Sequence, residues 1–128
     1  MFTGTQPLAG TSLEHEASAA VAQNLQASKA FTPSDYDTKA YCPLVRNGHT
    51  SNNQTTGIQV QNVSGAAQTV QVEYAYSVSG TPGTKTVVSP EALDPNESFT
   101  FFGADASLGI PVGAVGSATV TGQGGGDI

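Results

Sequence analysis

Apolar and polar residues alternate along two neighbouring segments in the middle of the chain. In residues 57–63 (GIQVQNV) the alternation puts Ile58 and Val60 on one face of a strand. Residues 69–76 (TVQVEYAY) repeat the pattern, and the sequence SGAA at residues 64–67 separates the two segments as a turn. The pattern therefore predicts two strands joined as an antiparallel hairpin.

Three further strands are predicted in the second half of the chain. Residues 84–88, 98–102 and 115–121 are rich in Val, Thr or Phe, which are residues that favour strands. The segments 79–83 and 89–96 contain prolines, and each proline removes a donor from a strand ladder, so both segments are predicted loops. Short strands separated by frequent turns are typical of an all-β, antiparallel β-sandwich.

The first third of the chain gives weaker signals. Residues 5–13 (TQPLAGTSL) are predicted to be extended, with Pro7 suited to a strand end or edge. The sequence TSLE at residues 11–14 fits a capping box, and the apolar spacing that follows is compatible with a short helix near residues 13–28.

These signals divide the chain into three predicted parts. Residues 1–39 form an N-terminal extension, and residues 40–121 form the sandwich, which opens with a strand over residues 40–46. Residues 122–128 (GQGGGDI) form a flexible, Gly-rich tail, since they offer few side chains to pack.

Composition and charge exclude several classes of partner. The chain has 128 residues, with four Lys and Arg against ten Asp and Glu, a net charge of −6 and a pI near 4.4. Nucleic-acid phosphates require a basic surface, so no nucleic-acid partner is expected. The sequence contains no run of about 18 apolar residues, so no membrane insertion is expected.

The sequence shows no motif for catalysis, a cofactor or a metal, and we predict that the protein is not an enzyme. His49 and the triplet Glu14-His15-Glu16 contain the only two histidines, and adjacent side chains point apart, so they do not form a chelating group. Cys42 is the single cysteine. The favoured interpretation of Cys42 is a small buried side chain, and the alternative is an intermolecular bridge.

Three Asn-x-Ser/Thr triplets match the pattern for N-glycosylation. They begin at Asn53, Asn62 and Asn96. Because the predicted loops contain Asn53 and Asn96, these two are the candidate glycosylation sites.

Four segments in the second part of the chain resemble a repeat type. YCPLVRN at 41–47, TGIQVQNV at 56–63, TVQVEY at 69–74 and VGAVGSATV at 112–120 resemble tandem immunoglobulin-like β-sandwich modules of secreted surface proteins of filamentous bacteria. The resemblance covers about residues 40–121. It implies an immunoglobulin-like sandwich and an extracellular or cell-surface location.

In modules of this kind a further strand, often beginning Gln-Pro, follows the segment that resembles GSATV. Here the Gly-rich tail replaces that strand, and a similar segment stands at the opposite end of the chain, so the order looks circularly permuted. The candidate donated strand comprises Gln6, Pro7, Leu8, Ala9 and Leu13. The corresponding acceptor edge is predicted on the last strand, at Ala118 and Val120.

Two arrangements of the donated strand remain open at this point. The strand can pair within its own sandwich, which would give a monomeric surface module that binds a glycan or a protein. It can instead complete a neighbouring copy by β-augmentation. Because such a contact does not close on itself, it would build a homopolymeric filament or surface appendage.

Overall fold

The computed structural model describes residues 11–14, 26–29, 32–49 and 53–128. The chain divides into two compact units, Met1–Asp35 and Tyr36–Ile128.

The first unit contains a pair of short antiparallel strands. Strand β1 (Thr11–Glu14) pairs with β2 (Gln26–Lys29), with Leu13 opposite Ala27. The predicted helix over 13–28 is therefore wrong at both of its ends, because pairing between the two strands supplies the backbone hydrogen bonds that a helix would otherwise make. The rest of that span, and residues 5–10 of the predicted extended segment, lie outside the described residues.

The second unit is built from two antiparallel sheets, and its described residues contain no α-helix. One sheet has four strands in the order β3-β8-β5-β6, and the other has two, β4 and β7. This arrangement confirms the all-β prediction. The strands are β3 (Lys39–Asn47), β4 (Gly57–Gln61), β5 (Val70–Val78), β6 (Thr81–Val88), β7 (Ser98–Phe102) and β8 (Ala114–Gly122).

The core lies between the facing sides of the two sheets. Val72 and Val120 on the larger sheet and Phe101 on the smaller sheet are almost completely buried, and all belong to one apolar cluster. Residues that alternate with them along each strand face away from the core, as a period of two requires. Burial of this kind supplies most of the free energy that favours folding.

The predicted hairpin between residues 57–63 and 69–76, which form β4 and β5, is wrong. Strand β4 pairs with β7, whereas β5 pairs with β6 and β8 in the other sheet. The alternation predicted the strands themselves correctly. It could not predict their pairing because both strands bury an apolar face whether they are neighbours in one sheet or lie in opposing sheets.

A buried asparagine organises the connection between the two sheets. Asn62 has 0 % of its surface exposed, and its Nδ2 donates to the backbone oxygens of Ala66 and Leu93, both at 2.8 Å. Its Oδ1 accepts from the Ser64 hydroxyl at 2.7 Å, the Ser64 N–H at 3.1 Å and Gln68 Nε2 at 3.0 Å. The Asn62 amide is thus paired on both its nitrogen and its oxygen, as a buried polar group requires.

The C-terminal residues 122–128 belong to the folded second unit. The Val63 N–H donates to the Asp127 carbonyl at 3.2 Å, and the Ile128 N–H donates to the Asp37 carbonyl at 2.9 Å. Ile128 is partly buried and packs against the core cluster. The interpretation of this segment as a flexible tail is therefore wrong, because backbone hydrogen bonds hold it even though its glycines offer no side chains.

Phe101 and Phe102 provide a matched test of the core. We expect Phe101→Ala to lower the free energy of unfolding by about 3–5 kcal/mol, because it removes a fully buried ring. Phe102 is 49 % exposed, and Phe102→Ala should change it by less than about 1 kcal/mol. Urea denaturation of the two variants measures both effects, and equal losses would contradict the assignment of the core face.

Removing the Asn62 side chain tests the buried connection. We expect Asn62→Ala to cost at least about 2 kcal/mol of unfolding free energy, because it leaves buried groups of Ser64 and Gln68 without their partner. Gln59→Ala, at an exposed position of the adjacent strand, is the control and should cost less than about 0.5 kcal/mol. Thermal and urea denaturation give the comparison, and a loss at Asn62 as small as at Gln59 would contradict it.

Candidate assembly site

Strand β8 is paired along both of its sides, so the predicted acceptor edge is wrong. Ala118 lies between Cys42 of β3 and Tyr74 of β5 in the register of the sheet. Val120 is likewise flanked by a neighbour on each side. The strand that covers this edge is β3 of the same unit, so the positions at Ala118 and Val120 are already occupied.

The residues of the predicted donated strand are only partly described. Leu13 lies in β1 and pairs with Ala27 within the first unit. The positions of Gln6, Pro7, Leu8 and Ala9 fall outside the described residues. The donated segment therefore remains a prediction from sequence for these four residues.

Within the described part of the chain, β4 and β7 have no strand neighbour other than each other. The Gly103 N–H donates to the Thr56 carbonyl, and the Asn62 N–H donates to the Glu97 carbonyl, so hydrogen-bonded pairs lie at both ends of this ladder. Pairs alternate between hydrogen-bonded and open along an antiparallel ladder. The pair that contains Gln59, in the middle of β4, is therefore open. The backbone N–H and C=O of Gln59 point away from β7, towards the side of β4 that has no neighbouring strand.

The small sheet does not cover the whole inner face of the large one. In the row formed by Ala40, Val120, Val72 and Val87, the two central valines are 2 % and 0 % exposed. Ala40 at one end is exposed, and Val87 at the other is partly buried. The β4–β7 sheet thus covers the central strands β8 and β5. The inner-facing residues of β3 and β6 lie beyond its edges, and we call these two strips the margins of the large sheet.

On the β6 side, connecting segments fill the margin. Leu93 and Leu108, from the loops before and after β7, are buried in the core cluster. The side chain of Lys85 runs beside Gly109, with Nζ 3.2 Å from the position that a Cβ would occupy there. The loop residues take the place of a further strand on this side.

On the β3 side, small uncharged side chains occupy inner positions that are incompletely buried. Ala40 and the partly buried Cys42 occupy the inner positions of β3. At one end, the Thr56 N–H donates to the Arg46 carbonyl at 2.9 Å, which joins β3 to the chain just before β4. We call the space between the β3 and β4 edges, over Ala40 and Cys42, the β3–β4 groove.

Both outer edges of the large sheet carry features that oppose strand addition. Edge strand β3 contains Lys39 and a register shift between Cys42 and Val45, where Pro43 lies. Edge strand β6 contains Pro82 and Lys85. Lysine, proline and bulges on edge strands discourage pairing with other chains. The five residues of β4 include neither proline nor a charged residue.

The phenol of Tyr74 is buried on the inner face of the large sheet. Tyr74 is 4 % exposed, and its hydroxyl has no hydrogen-bond partner among the described residues. Burial, with a smaller contribution from Cys42, raises the pKa of Tyr74 from 10.0 to about 12. Burial also raises the pKa of the Cys42 thiol. Both groups are therefore neutral near pH 7, as an apolar environment requires.

The three glycosylation triplets differ in accessibility. Asn53 and Asn96 are exposed, whereas Asn62 is completely buried. The sequence pattern did not predict the structural role of Asn62. Its only signal was the Asn-x-Ser spacing, which also allows an asparagine side chain to bond to the backbone two residues later.

The described residues contain no group of three or more side chains suited to a metal ion. They also contain no helix of the length and apolarity needed to cross a bilayer. No known family model matches the chain, and neither a curated protein nor a solved structure shows significant similarity to it. The resemblance to immunoglobulin-like modules therefore stays a prediction.

The pKa of Tyr74 predicts how stability depends on alkaline pH. Below pH 10.0 the phenol is neutral in the folded and unfolded states, so its contribution to stability is complete. Between pH 10.0 and about 12 the unfolded chain loses this proton first, so the free energy of unfolding falls. We expect denaturant titrations across this range to show a steeper loss for the wild type than for Tyr74→Phe. Identical slopes would contradict the buried, neutral state of the phenol.

Proposed function

We propose that this protein is a structural subunit that polymerises head to tail, by donation of its N-terminal strand, into a filament or surface appendage. The proposal includes an immunoglobulin-like sandwich, a location outside the cell or at its surface, and a role without catalysis. The observation that carries it is the two-stranded sheet, whose outer edges have no strand neighbour in the described part of the chain.

The strand count supports an acceptor role. A constant-type immunoglobulin sandwich has roughly seven strands, in sheets of four and three. The described second unit supplies four and two. A strand from another copy would give the smaller sheet a third member, and main-chain hydrogen bonds would supply affinity as they do in other cases of β-augmentation.

The character of the donor segment is also compatible with this role. No charged residue occurs between Phe2 and Leu13, so the segment can enter an apolar margin without burying a charge. The paired strands β1 and β2 form a sheet of only two short strands. Such pairs are marginally stable alone, and additional pairing would stabilise the chain around them.

A second candidate function is a monomeric surface module that binds a glycan or a protein. Two observations favour it: Leu13 pairs locally within the first unit, and the large sheet has a shallow depression of about 620 Å³. The depression lies beside Ala75, Pro82, Thr84 and Val115. Its volume is within the range of small-molecule sites, although few polar groups line it. In either role, Asn53 and Asn96 are the proposed positions for glycan modification.

Deletion of residues 1–10 tests the structural role. The deletion removes Gln6, Pro7, Leu8 and Ala9 but leaves β1 and β2 complete. We expect the full chain to form regular fibres in negative-stain images and concentration-dependent polymers in sedimentation velocity. The deleted chain should sediment as a monomer, because it lacks the donor.

Two results would contradict the proposal. The first is regular fibres formed by the deleted chain. The second is a full chain that stays monomeric at all concentrations tested, which would favour the binding module. Circular dichroism of both chains shows whether the sandwich is retained.

A further inference from the structure

We propose that the acceptor is the β3–β4 groove, and that its occupant is the segment around residues 5–9 of a second copy, added as a strand to the outer edge of β4. This inference rests on the proposed function and specifies where the donated strand binds. It replaces the acceptor edge on β8, which β3 already covers.

The margin on the β3 side is covered only at one end, where Ile128 bonds to Asp37 and packs against the core. Leu93 and Leu108 close the opposite margin, where Lys85 also lies. Further along β3, the inner-facing Ala40 is exposed and Cys42 is only partly buried. An added strand beside β4 would place side chains over these two small inner residues and would complete their burial.

The two ends of the groove limit the length of its occupant. At one end the Arg46 N–H donates to Thr56 Oγ1 at 3.1 Å, and the Thr56 N–H donates back to the Arg46 carbonyl. At the other end the Val63 N–H donates to the Asp127 carbonyl. Between these bridges the edge of β4 is open over its five residues. The groove therefore fits a short strand of about five residues.

Residues 5–9 (TQPLA) meet the requirements of this groove. The segment is uncharged, which matches a margin formed by alanine, cysteine and the uncharged edge of β4. Proline is tolerated in a strand when its nitrogen faces away from the ladder. Placing Pro7 in that way directs the backbone groups of Gln6 and Leu8 towards β4, because neighbouring residues alternate. In a strand that runs parallel to β4, residues whose backbone faces β4 turn their side chains to the same face as Ile58 and Val60, so Leu8 is then the apolar side chain that packs over Cys42.

Adjacent residues on β3 provide a matched pair of variants. Ala40 faces the groove and Tyr41 faces the opposite side of the sheet, where it is 73 % exposed. Both positions are exposed in the subunit, so a lysine at either one leaves the core intact. An inward-pointing charge blocks strand addition. We expect Ala40→Lys to raise the concentration needed for polymerisation at least tenfold, and Tyr41→Lys to leave it nearly unchanged.

Cys42 reports on occupation of the groove in the unmodified protein. As the only cysteine of the chain, it can be alkylated with iodoacetamide under native conditions. We expect its alkylation to be at least tenfold slower in polymers than in the chain that lacks residues 1–10. In the control Cys42→Ser/Tyr41→Cys, the thiol lies on the outer side, and its reactivity should not change on polymerisation.

The outcomes separate this inference from the proposed function. If polymers form but Cys42 stays equally reactive and Ala40→Lys still polymerises, the groove is wrong and the structural role stands. If Cys42 is protected in a monomer at every concentration, the segment binds its own copy and the second-copy occupant is wrong. If the full chain never polymerises, the proposed function itself fails.

Discussion

The second unit is shaped by the fact that two strands cannot cover a sheet of four. The β4–β7 pair buries the central strands β8 and β5 almost completely, while the inner positions of β3 and β6 lie at the margins. Each Å² of apolar surface that stays exposed to water, rather than buried, loses roughly 25 cal/mol of stabilisation. The connecting segments therefore matter, because they decide which margin is covered.

Loops and backbone contacts compensate for the missing strands on one side and at the ends. Leu93 and Leu108 cover the margin beside β6. The Asn62 amide joins the end of β4 to the segments around Ser64, Gln68 and Leu93 through five hydrogen bonds. A hydrophobic residue of similar size could not hold these three segments, because their backbone groups and side-chain amides need polar partners. On the β3 side, the C-terminal residues bond to the chain at one end of the β3–β4 groove, and Ala40 remains exposed.

Particular elements show how far sequence patterns reach. Ile58 and Val60, and likewise Val70 and Val72, alternate with polar residues. This alternation predicted strands and a buried face, and the structure confirms both. The same alternation failed for pairing, because the turn after β4 carries the chain from one sheet to the other. The capping-box signal at residues 11–14 failed because a local signal of this kind contributes only about 1 kcal/mol, which strand pairing can outweigh.

Sequence by itself determined the all-β character of the protein and the strands that form its core, because a period of two is a local property of the chain. Only the tertiary structure decided that β3 covers β8, that Asn62 is buried, and that the C-terminal glycines are held by hydrogen bonds. It also moved the candidate acceptor from Ala118 and Val120 to the groove beside β4. These features depend on contacts between residues far apart in the chain, and the pattern at either partner does not specify which segment will meet it.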